Sequence, residues 1–343
     1  MGRRARTRTA LRTASLAAAL LVALAGGATA AETLRIGVLK LASSGPVFIA
    51  ADKGYFAAAG IDPALVFFDA AQPIAVATVA GDIDIGVTGL TAGFYNLAAK
   101  GGLRIIGAQS REEPGYHLIA YLAANRAYEA GFKSLKDFPG HAVAVTQIGS
   151  TFHYSLGLLA EKLGFPLDRV RVVPLQTMSN EASAVQGGQV DAALIPATVA
   201  LPLVSRGDAH LLGWVGDETP WQLGAIFAAQ QTIAAHRALV ASFIAAYRRG
   251  AHDFFDAFLV KGPDGAPRQG AAAPALLAII AKYTGQSAEQ IKSGIPYIDP
   301  DARLLVSDIH HQVAWYQKQG LVDTTADAHA ILDLSFVGQQ DTQ

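Results

Sequence analysis

Cysteine is missing from all 343 residues of the sequence. Its absence excludes disulfides, thiolate zinc sites, cysteine nucleophiles and iron–sulfur clusters held by thiolates. Familiar catalytic and nucleotide-binding motifs are also missing: there is no G-x-S-x-G, no phosphate loop, no G-x-G-x-x-G and no H-E-x-x-H. Charged residues are scarce at 16%, against 51% hydrophobic residues, which is the composition of a folded chain.

A basic surface for nucleic acid is lacking as well. The chain has 27 basic and 28 acidic side chains, but five of the arginines fall within the first thirty residues, where no acid occurs. Without that segment the balance is 22 basic to 28 acidic residues, a net charge of −6. This balance argues against a nucleic-acid partner.

The N-terminal segment has the layout of a secretory signal peptide. A basic stretch ends at Arg12, an apolar core covers residues 16–25, and Ala28 and Ala30 are small residues of the kind that signal peptidases recognise. A membrane anchor is the alternative, but alanine and glycine dilute the apolar run. We expect residues 1–30 to be removed on export, by the general secretory route rather than the twin-arginine one, leaving a soluble periplasmic protein.

Short apolar runs alternate with helical patterns, which is typical of parallel α/β units. The pattern predicts a helix over residues 46–59 and another over 151–164, and it turns mostly helical after residue 232. It predicts seven strands, over residues 33–39, 65–68, 83–87, 103–108, 141–146, 170–174 and 191–195.

A weak internal repeat organises these elements. Residues 75–90 resemble residues 181–196, with Gly81, Ile83 and Asp84 matching Gly188, Val190 and Asp191. We interpret both aspartates as turn formers. Because ligands of open α/β sheets sit beyond the carboxyl ends of strands, the repeat predicts a cleft between two lobes of one plan.

Five segments carry a resemblance to a known family: ADKGYFAAAGID (51–62), VAGDIDIGVTG (79–89), SLKDFPGHAVAV (134–145), IGST (148–151) and GGQVDAALI (187–195). In order and spacing the chain resembles the nitrate/sulfonate/taurine-type periplasmic solute-binding proteins of ABC importers. The resemblance implies an α/β fold of the type II periplasmic binding class, with two Rossmann-like lobes and a two-strand hinge. It also implies delivery of the solute to an ABC permease and ATPase at the inner membrane.

The expected organisation follows from this resemblance. Residues 31–115 would form the first part of lobe I, residues 116–212 lobe II, and residues 213–343 the return to lobe I with the C-terminal helices. The hinge is expected near residues 109–121 and 211–225. We expect a monomer with a small-molecule ligand, no catalytic residue, no cofactor and no metal. An extracytoplasmic sensor of the same fold stays open as an alternative, followed by an exported enzyme.

The candidate ligand-binding residues follow strands or begin helices, so backbone N–H groups and side-chain hydroxyls meet there. They are Ser43, Ser44, Thr88, Gly89, Thr91, Gln147, Gly149, Ser150, Thr151, Thr177 and Thr198, with Trp214 as an aromatic cover. Capping of helix N-termini is the alternative role for each hydroxyl. Ser150 and His153 are spaced as a cap rather than as a nucleophile and its base.

The expected ligand is a small organic anion, a sulfonate or an organic acid. Apart from Arg111 near the hinge, the candidate segments contain no lysine or arginine placed to pair with it. Hydroxyls and N–H groups at helix N-termini would therefore hold the anionic group.

Overall fold

The computed structural model describes residues 31–337 and 339–340, and two five-stranded sheets form its framework. The first sheet has the strand order β2-β1-β3-β10-β4 and the second β7-β6-β8-β5-β9. We call each sheet with its helices a lobe. The strands are β1 (Glu32–Leu39), β2 (Ile61–Phe68), β3 (Ile85–Gly89), β4 (Leu103–Ala108), β5 (Ile119–Ala124), β6 (Ala142–Val145), β7 (Arg171–Pro174), β8 (Ala192–Pro196), β9 (Ala209–Trp214), β10 (Gly224–Ala229), β11 (Leu304–Leu305) and β12 (Gln339–Gln340).

Helices connect and cover these strands. They are α1 (Gly45–Asp52), α2 (Tyr55–Ala58), α3 (Ala71–Ala80), α4 (Ala92–Ala99), α5 (Asn125–Glu129), α6 (Thr151–Leu163), α7 (Met178–Gln186), α8 (Ala197–Ser205), α9 (Val215–Glu218), α10 (Gln230–Ala235), α11 (Arg237–Phe258), α12 (Ala273–Thr284), α13 (Ala288–Ser293) and α14 (Val306–Lys318). Among the described residues, none of these helices is long and apolar enough to span a membrane.

The two lobes are built on one plan, and the aspartates of the internal repeat mark it. The Asp84 carboxylate accepts a hydrogen bond from the backbone N–H of Arg35 at 2.8 Å, and the Asp191 carboxylate accepts one from that of Ala142, also at 2.8 Å. In both cases the two residues are 49 positions apart. Each aspartate thus joins the start of one parallel strand to its neighbour, β1 to β3 and β6 to β8.

The sheets are mixed, whereas the sequence pattern predicted only parallel units. Strand β10 runs antiparallel to β3 and β4, and β5 runs antiparallel to β8 and β9. The reason is that β5 and β10 each begin where the chain crosses between the lobes. The two crossings pair with each other, since Glu112 and Trp221 exchange backbone hydrogen bonds of 2.9 and 3.1 Å. The hinge is therefore a two-stranded ribbon.

The helix predicted over residues 46–59 is wrong in one respect, because two helices occupy that range. Helix α1 ends at Asp52 and α2 begins at Tyr55. Between them Gly54 has a φ of 71°, a left-handed conformation that interrupts the helix and that glycine adopts without steric cost.

Helix α14 connects the two lobes and the hinge. The Tyr95 hydroxyl of α4 donates to Gln312 at 2.9 Å, and the Gln312 amide donates to the backbone oxygen of Gln222 at 2.7 Å. On the second lobe, the Trp315 ring packs directly against Gly157 of α6. The C-terminal part of the chain therefore holds the lobes together from behind the hinge.

Candidate functional site

A cavity of about 50 Å³ lies between the carboxyl ends of the two sheets. All of the described side chains that line it are uncharged, and about half of them are apolar. They are Leu39, Leu41, Ser43, Ala70, Ala71, Gln72, Thr88, Gly89, Thr91, Gln109, Leu118, Ile119, Thr146, Gln147, Ser150, Thr151, Phe152, Met178, Pro196 and Leu223. We call this space the inner cavity.

Six helices begin at the inner cavity, three from each lobe. In the first lobe these are α1, α3 and α4; in the second lobe they are α6, α7 and α8. Each directly follows a strand whose carboxyl end points to the cleft, which is why all six N-termini converge. A helix N-terminus carries partial positive charge, so the cavity favours an anion although none of the described side chains that line it is cationic.

Thr88 presents a buried polar atom without a partner. This residue lies in β3 and is only 1% exposed. Its Oγ1 forms no hydrogen bond with any described residue. Burying an unpaired hydroxyl costs about 1–3 kcal/mol, a cost that a ligand's polar group would remove.

The lobes touch each other on two sides of the cleft. The backbone N–H of Ala92, in the first turn of α4, donates to the backbone oxygen of Gly149 at 2.8 Å. On another side, the Gln286 amide of the first lobe donates to the Thr198 hydroxyl of the second at 3.0 Å. The cleft is therefore closed in this conformation.

Gly89 makes a third close approach between the lobes possible. A Cβ atom at this position would lie 2.7 Å from the Thr151 Cγ2 atom, closer than two carbon atoms can pack. Any larger residue at position 89 would push the end of β3 away from the start of α6.

A wider cavity of about 320 Å³ adjoins the inner one, sharing Leu41 and Met178 with it. We call it the outer cavity. Lys40 and Asp69 line it, and the Lys40 ammonium lies 5.3 Å from the Phe67 ring centre. Lys40 follows β1 directly and lies outside the segments that sequence analysis considered, so its place beside the cleft was missed.

The model of the NMT1/THI5-like family matches residues 42–257 of the sequence, 216 of its 343 residues. The chain belongs to the NMT1/THI5-like family. No curated protein sequence matches it.

Solved structures share the fold of this NMT1/THI5-like protein. The alkanesulfonate-binding protein SsuA from Xanthomonas axonopodis pv. citri, bound to MOPS, superposes with a TM-score of 0.70 at 19% identity, covering 88% of this chain and 98% of that one. The periplasmic nitrate-binding protein NrtA from Synechocystis PCC 6803 has a TM-score of 0.70 at 13% identity, covering 87% and 84%. The predicted family resemblance and the periplasmic binding fold are thereby confirmed.

An enzyme also has this fold. The desulfurization enzyme DSZB superposes with a TM-score of 0.60 at 14% identity, covering 89% of this chain and 97% of that one. The fold alone therefore does not separate binding from catalysis.

Of the residues predicted to bind ligand, seven line the inner cavity: Ser43, Thr88, Gly89, Thr91, Gln147, Ser150 and Thr151. Two of them also cap helices. The Thr91 hydroxyl accepts from the Phe94 N–H at 3.1 Å, and the Ser150 hydroxyl accepts from the His153 N–H at 3.3 Å. Thr91 and Ser150 thus each line the inner cavity and also cap a helix.

Five predicted residues lie elsewhere. Ser44 is fully buried behind the cavity wall, and Gly149 contacts the first lobe through its backbone. Thr177 lines the outer cavity and caps α7 through the Asn180 N–H at 3.2 Å. Thr198 is engaged by Gln286, and the Trp214 ring stacks on His117 with a centre-to-centre distance of 4.3 Å.

Sequence reasoning missed several polar lining residues. Gln109 directly follows β4 and Thr146 directly follows β6, so the rule that located Thr88 could have located both. The Gln109 amide donates to the backbone oxygen of Ser43 at 3.0 Å, which joins the hinge to the cavity wall. Gln72 accepts a hydrogen bond from the Thr91 hydroxyl, and no sequence signal pointed to it.

Arg111 does not face the cavity. Its backbone N–H donates to the Tyr297 oxygen at 3.0 Å, and its guanidinium lies 4.4 Å from the centre of that ring. The residue is buried in the hinge region, so any anion in the inner cavity meets backbone and hydroxyl groups instead.

Proposed function

We propose that this protein is the extracytoplasmic solute-binding component of an ABC importer, which captures a small organic anion between its lobes. The ligand would be a sulfonate or an organic acid, passed on to a membrane permease and its ATPase. The observation that carries this proposal is the unpaired Thr88 hydroxyl, buried in an uncharged cavity at which six helices begin.

The available interactions are sufficient for useful affinity. A helix N-terminus stabilises a nearby anion by roughly 0.3–1 kcal/mol, and by up to about 2 kcal/mol when partly buried. A hydrogen bond to a charged group adds roughly 1.5–3 kcal/mol. A few such terms, in a cleft that excludes water, reach the roughly −8 kcal/mol of micromolar binding.

The size of the two cavities supports a ligand with two parts. A single water molecule needs a cavity volume of at least about 10–15 Å³. The 50 Å³ of the inner cavity therefore suit a compact group such as a sulfonate or carboxylate. The remainder of the ligand would extend past Leu41 and Met178 into the outer cavity.

The composition of the inner cavity favours binding over catalysis. Among the described residues, its lining includes no histidine, aspartate, glutamate, lysine, tyrosine or cysteine, so none of these side chains offers a general base or a strong nucleophile. Membrane partners, rather than the cavity, distinguish an importer from a sensor. Co-purification of a permease and ATPase would favour the importer.

Replacing Thr88 with valine tests the proposal. The substitution removes the unpaired hydroxyl at nearly constant volume, so binding of an anion should weaken about tenfold or more while the ligand-free protein becomes slightly more stable. Calorimetric titration of ethanesulfonate, taurine, nitrate, benzoate and a neutral pyrimidine measures the first effect, and thermal melting measures the second.

Thr78→Val is the matched control. Thr78 is equally buried, but its hydroxyl donates to the Ile74 backbone oxygen within α3, away from the cavity. This variant should lose some stability and keep its affinity. Exclusive binding of the neutral pyrimidine would contradict the proposed ligand class, and equal anion affinities in wild type and Thr88→Val would contradict the role of the Thr88 hydroxyl.

A further inference from the structure

His153 lies directly behind the wall of the inner cavity and does not line it. It occupies the first turn of α6 and is 7% exposed. Its backbone N–H donates to the Ser150 hydroxyl at 3.3 Å, and its ring Nδ1 accepts from the Gly149 N–H at 3.0 Å. The arrangement resembles a capping box, with a histidine in the place usually held by glutamate.

Gly149 is the residue at which this arrangement reaches the other lobe. Its φ is 79°, and a Cβ atom there would lie 2.7 Å from the Ala92 Cβ, so no other residue fits without strain. Its N–H is held by His153, and its carbonyl oxygen accepts from the Ala92 N–H at 2.8 Å. The His153 ring therefore fixes one side of a residue whose other side contacts the first lobe.

The hydrogen bond defines the state of the imidazole. To accept from Gly149, Nδ1 must carry no proton, so the ring is neutral and its hydrogen is on Nε2. Burial favours this state, since it lowers the pKa of His153 to about 4. The edge of the ring packs on Trp315 of α14, with ring centres 5.5 Å apart and planes at 79°.

A neutral acceptor suits this position better than a carboxylate. Glutamate could accept the same hydrogen bond, but it would place a negative charge beside the helix N-terminus that faces the ligand. Histidine supplies the acceptor and leaves the partial positive charge of α6 available to an anion.

We propose that His153 is a positioning residue of the solute site, whose neutral imidazole holds the segment 147–151 against the inner cavity and the first lobe. This inference rests on the proposed function for its effect on binding. Its effect on the segment itself is independent of any ligand.

Two substitutions distinguish the effect of the hydrogen-bond acceptor from the effect of the ring's volume. In His153→Asn, the amide oxygen lies near the place of Nδ1 and keeps the acceptor; in His153→Leu, similar volume remains without an acceptor. Amide exchange of Gly149, followed by NMR in the ligand-free protein, should accelerate at least about tenfold in the leucine variant and stay near the wild-type rate in the asparagine variant.

Binding is measured with ethanesulfonate as the probe. We expect affinity to fall about tenfold or more in His153→Leu and to stay within about threefold of wild type in His153→Asn. His311→Leu is the matched control: it removes the hydrogen bond of 2.8 Å between His311 and the Tyr154 hydroxyl of the same helix, without touching the segment 147–151. Its affinity should equal that of wild type.

Unchanged Gly149 exchange in His153→Leu would overturn the proposal, as would equal probe affinity in wild type and His153→Leu. If ethanesulfonate does not bind even the wild type, the proposed sulfonate class fails, and the exchange experiment still decides the role of His153.

Discussion

The side-chain hydroxyls around the cleft differ in whether they already form hydrogen bonds within the protein. Ser150 and Thr91 each accept a hydrogen bond from the first turn of the helix that they cap. Only part of the hydrogen-bonding capacity of each hydroxyl is therefore left for a ligand. Thr88 lies in a strand and caps no helix, and its hydroxyl forms no hydrogen bond within the part of the chain that the structure describes. Among these hydroxyls, the secondary structure that holds each one decides whether it can serve binding alone.

His153 should also make stability depend on pH. Its pKa is about 4 in the folded protein against an ordinary value of 6.5, so the unfolded chain takes up the proton first as pH falls. The contribution of His153 to the free energy of unfolding is fully present above pH 6.5. It declines between pH 6.5 and 4 by about 3 kcal/mol in total, at roughly 1.4 kcal/mol per pH unit.

Urea unfolding of wild type and His153→Asn at pH 7 and pH 4 measures this contribution. The loss of unfolding free energy between the two pH values should be smaller in the variant by about 3 kcal/mol. Equal losses in both proteins would show that His153 titrates normally when folded.

At the scale of elements, the contact between α6 and α14 depends on a glycine. A Cβ atom at Gly157 would lie 2.1 Å from the Trp315 Cζ2 atom. Although alanine favours a helix, Gly157→Ala should lower the free energy of unfolding by about 1–3 kcal/mol, because the two helices must separate.

Urea denaturation of a double-mutant cycle tests this contact. Trp315→Leu frees the space, so adding Gly157→Ala to it should cost less than the same change in wild type. Additive effects of the two substitutions, or a Gly157→Ala variant as stable as wild type, would show that the contact is not tight.

Local sequence patterns predicted seven of the ten strands of the two sheets and missed β5, β9 and β10. Strands β3 and β8 were found from apolar runs that follow glycine turns, within two residues of their bounds. The predicted hinge, residues 109–121 and 211–225, overlaps only part of β5, β9 and β10. In β5 and β10, alanine-rich runs buried on both faces show no alternation. Strand direction, moreover, depends on which lobe the chain is entering, and no local pattern records that.

The site was predictable to a similar degree. Polar residues at strand ends could be placed, because parallel strands direct their carboxyl ends to one edge. The apolar wall of the cavity could not be predicted, because Leu118, Phe152 and Leu223 cannot be told from ordinary core residues in the sequence. Local sequence patterns could not predict the contact of Gln286 either, since its partner Thr198 lies 88 positions away.

For the whole molecule, the contact between Gln286 and Thr198 should favour the closed cleft. Gln286→Ala removes a hydrogen bond between the lobes that lies outside the inner cavity. The closed population should fall, and every ligand should then bind more weakly by the same factor, roughly two- to tenfold. Small-angle scattering should show a larger radius of gyration than that of wild type at equal ligand saturation.

Thr198→Val removes the same hydrogen bond from the other side, so combining it with Gln286→Ala should add little further loss. Should the loss differ from ligand to ligand, Gln286 would be acting on the ligand itself rather than on closure. An unchanged scattering curve would mean that the lobes close without this contact.

The placement of β10 sets an order in which the chain can fold as it emerges, N-terminus first. All five strands of the second sheet lie within residues 119–214, so that sheet can assemble once this continuous stretch has been made. The first sheet cannot, because its fourth strand, residues 224–229, stands between β3 and β4. The N-terminal strands must therefore wait, with their edges unpaired, until the chain has returned. The strands that emerge first, β1 to β4, thus belong to the sheet that is completed last, and they are where a chaperone would be needed most.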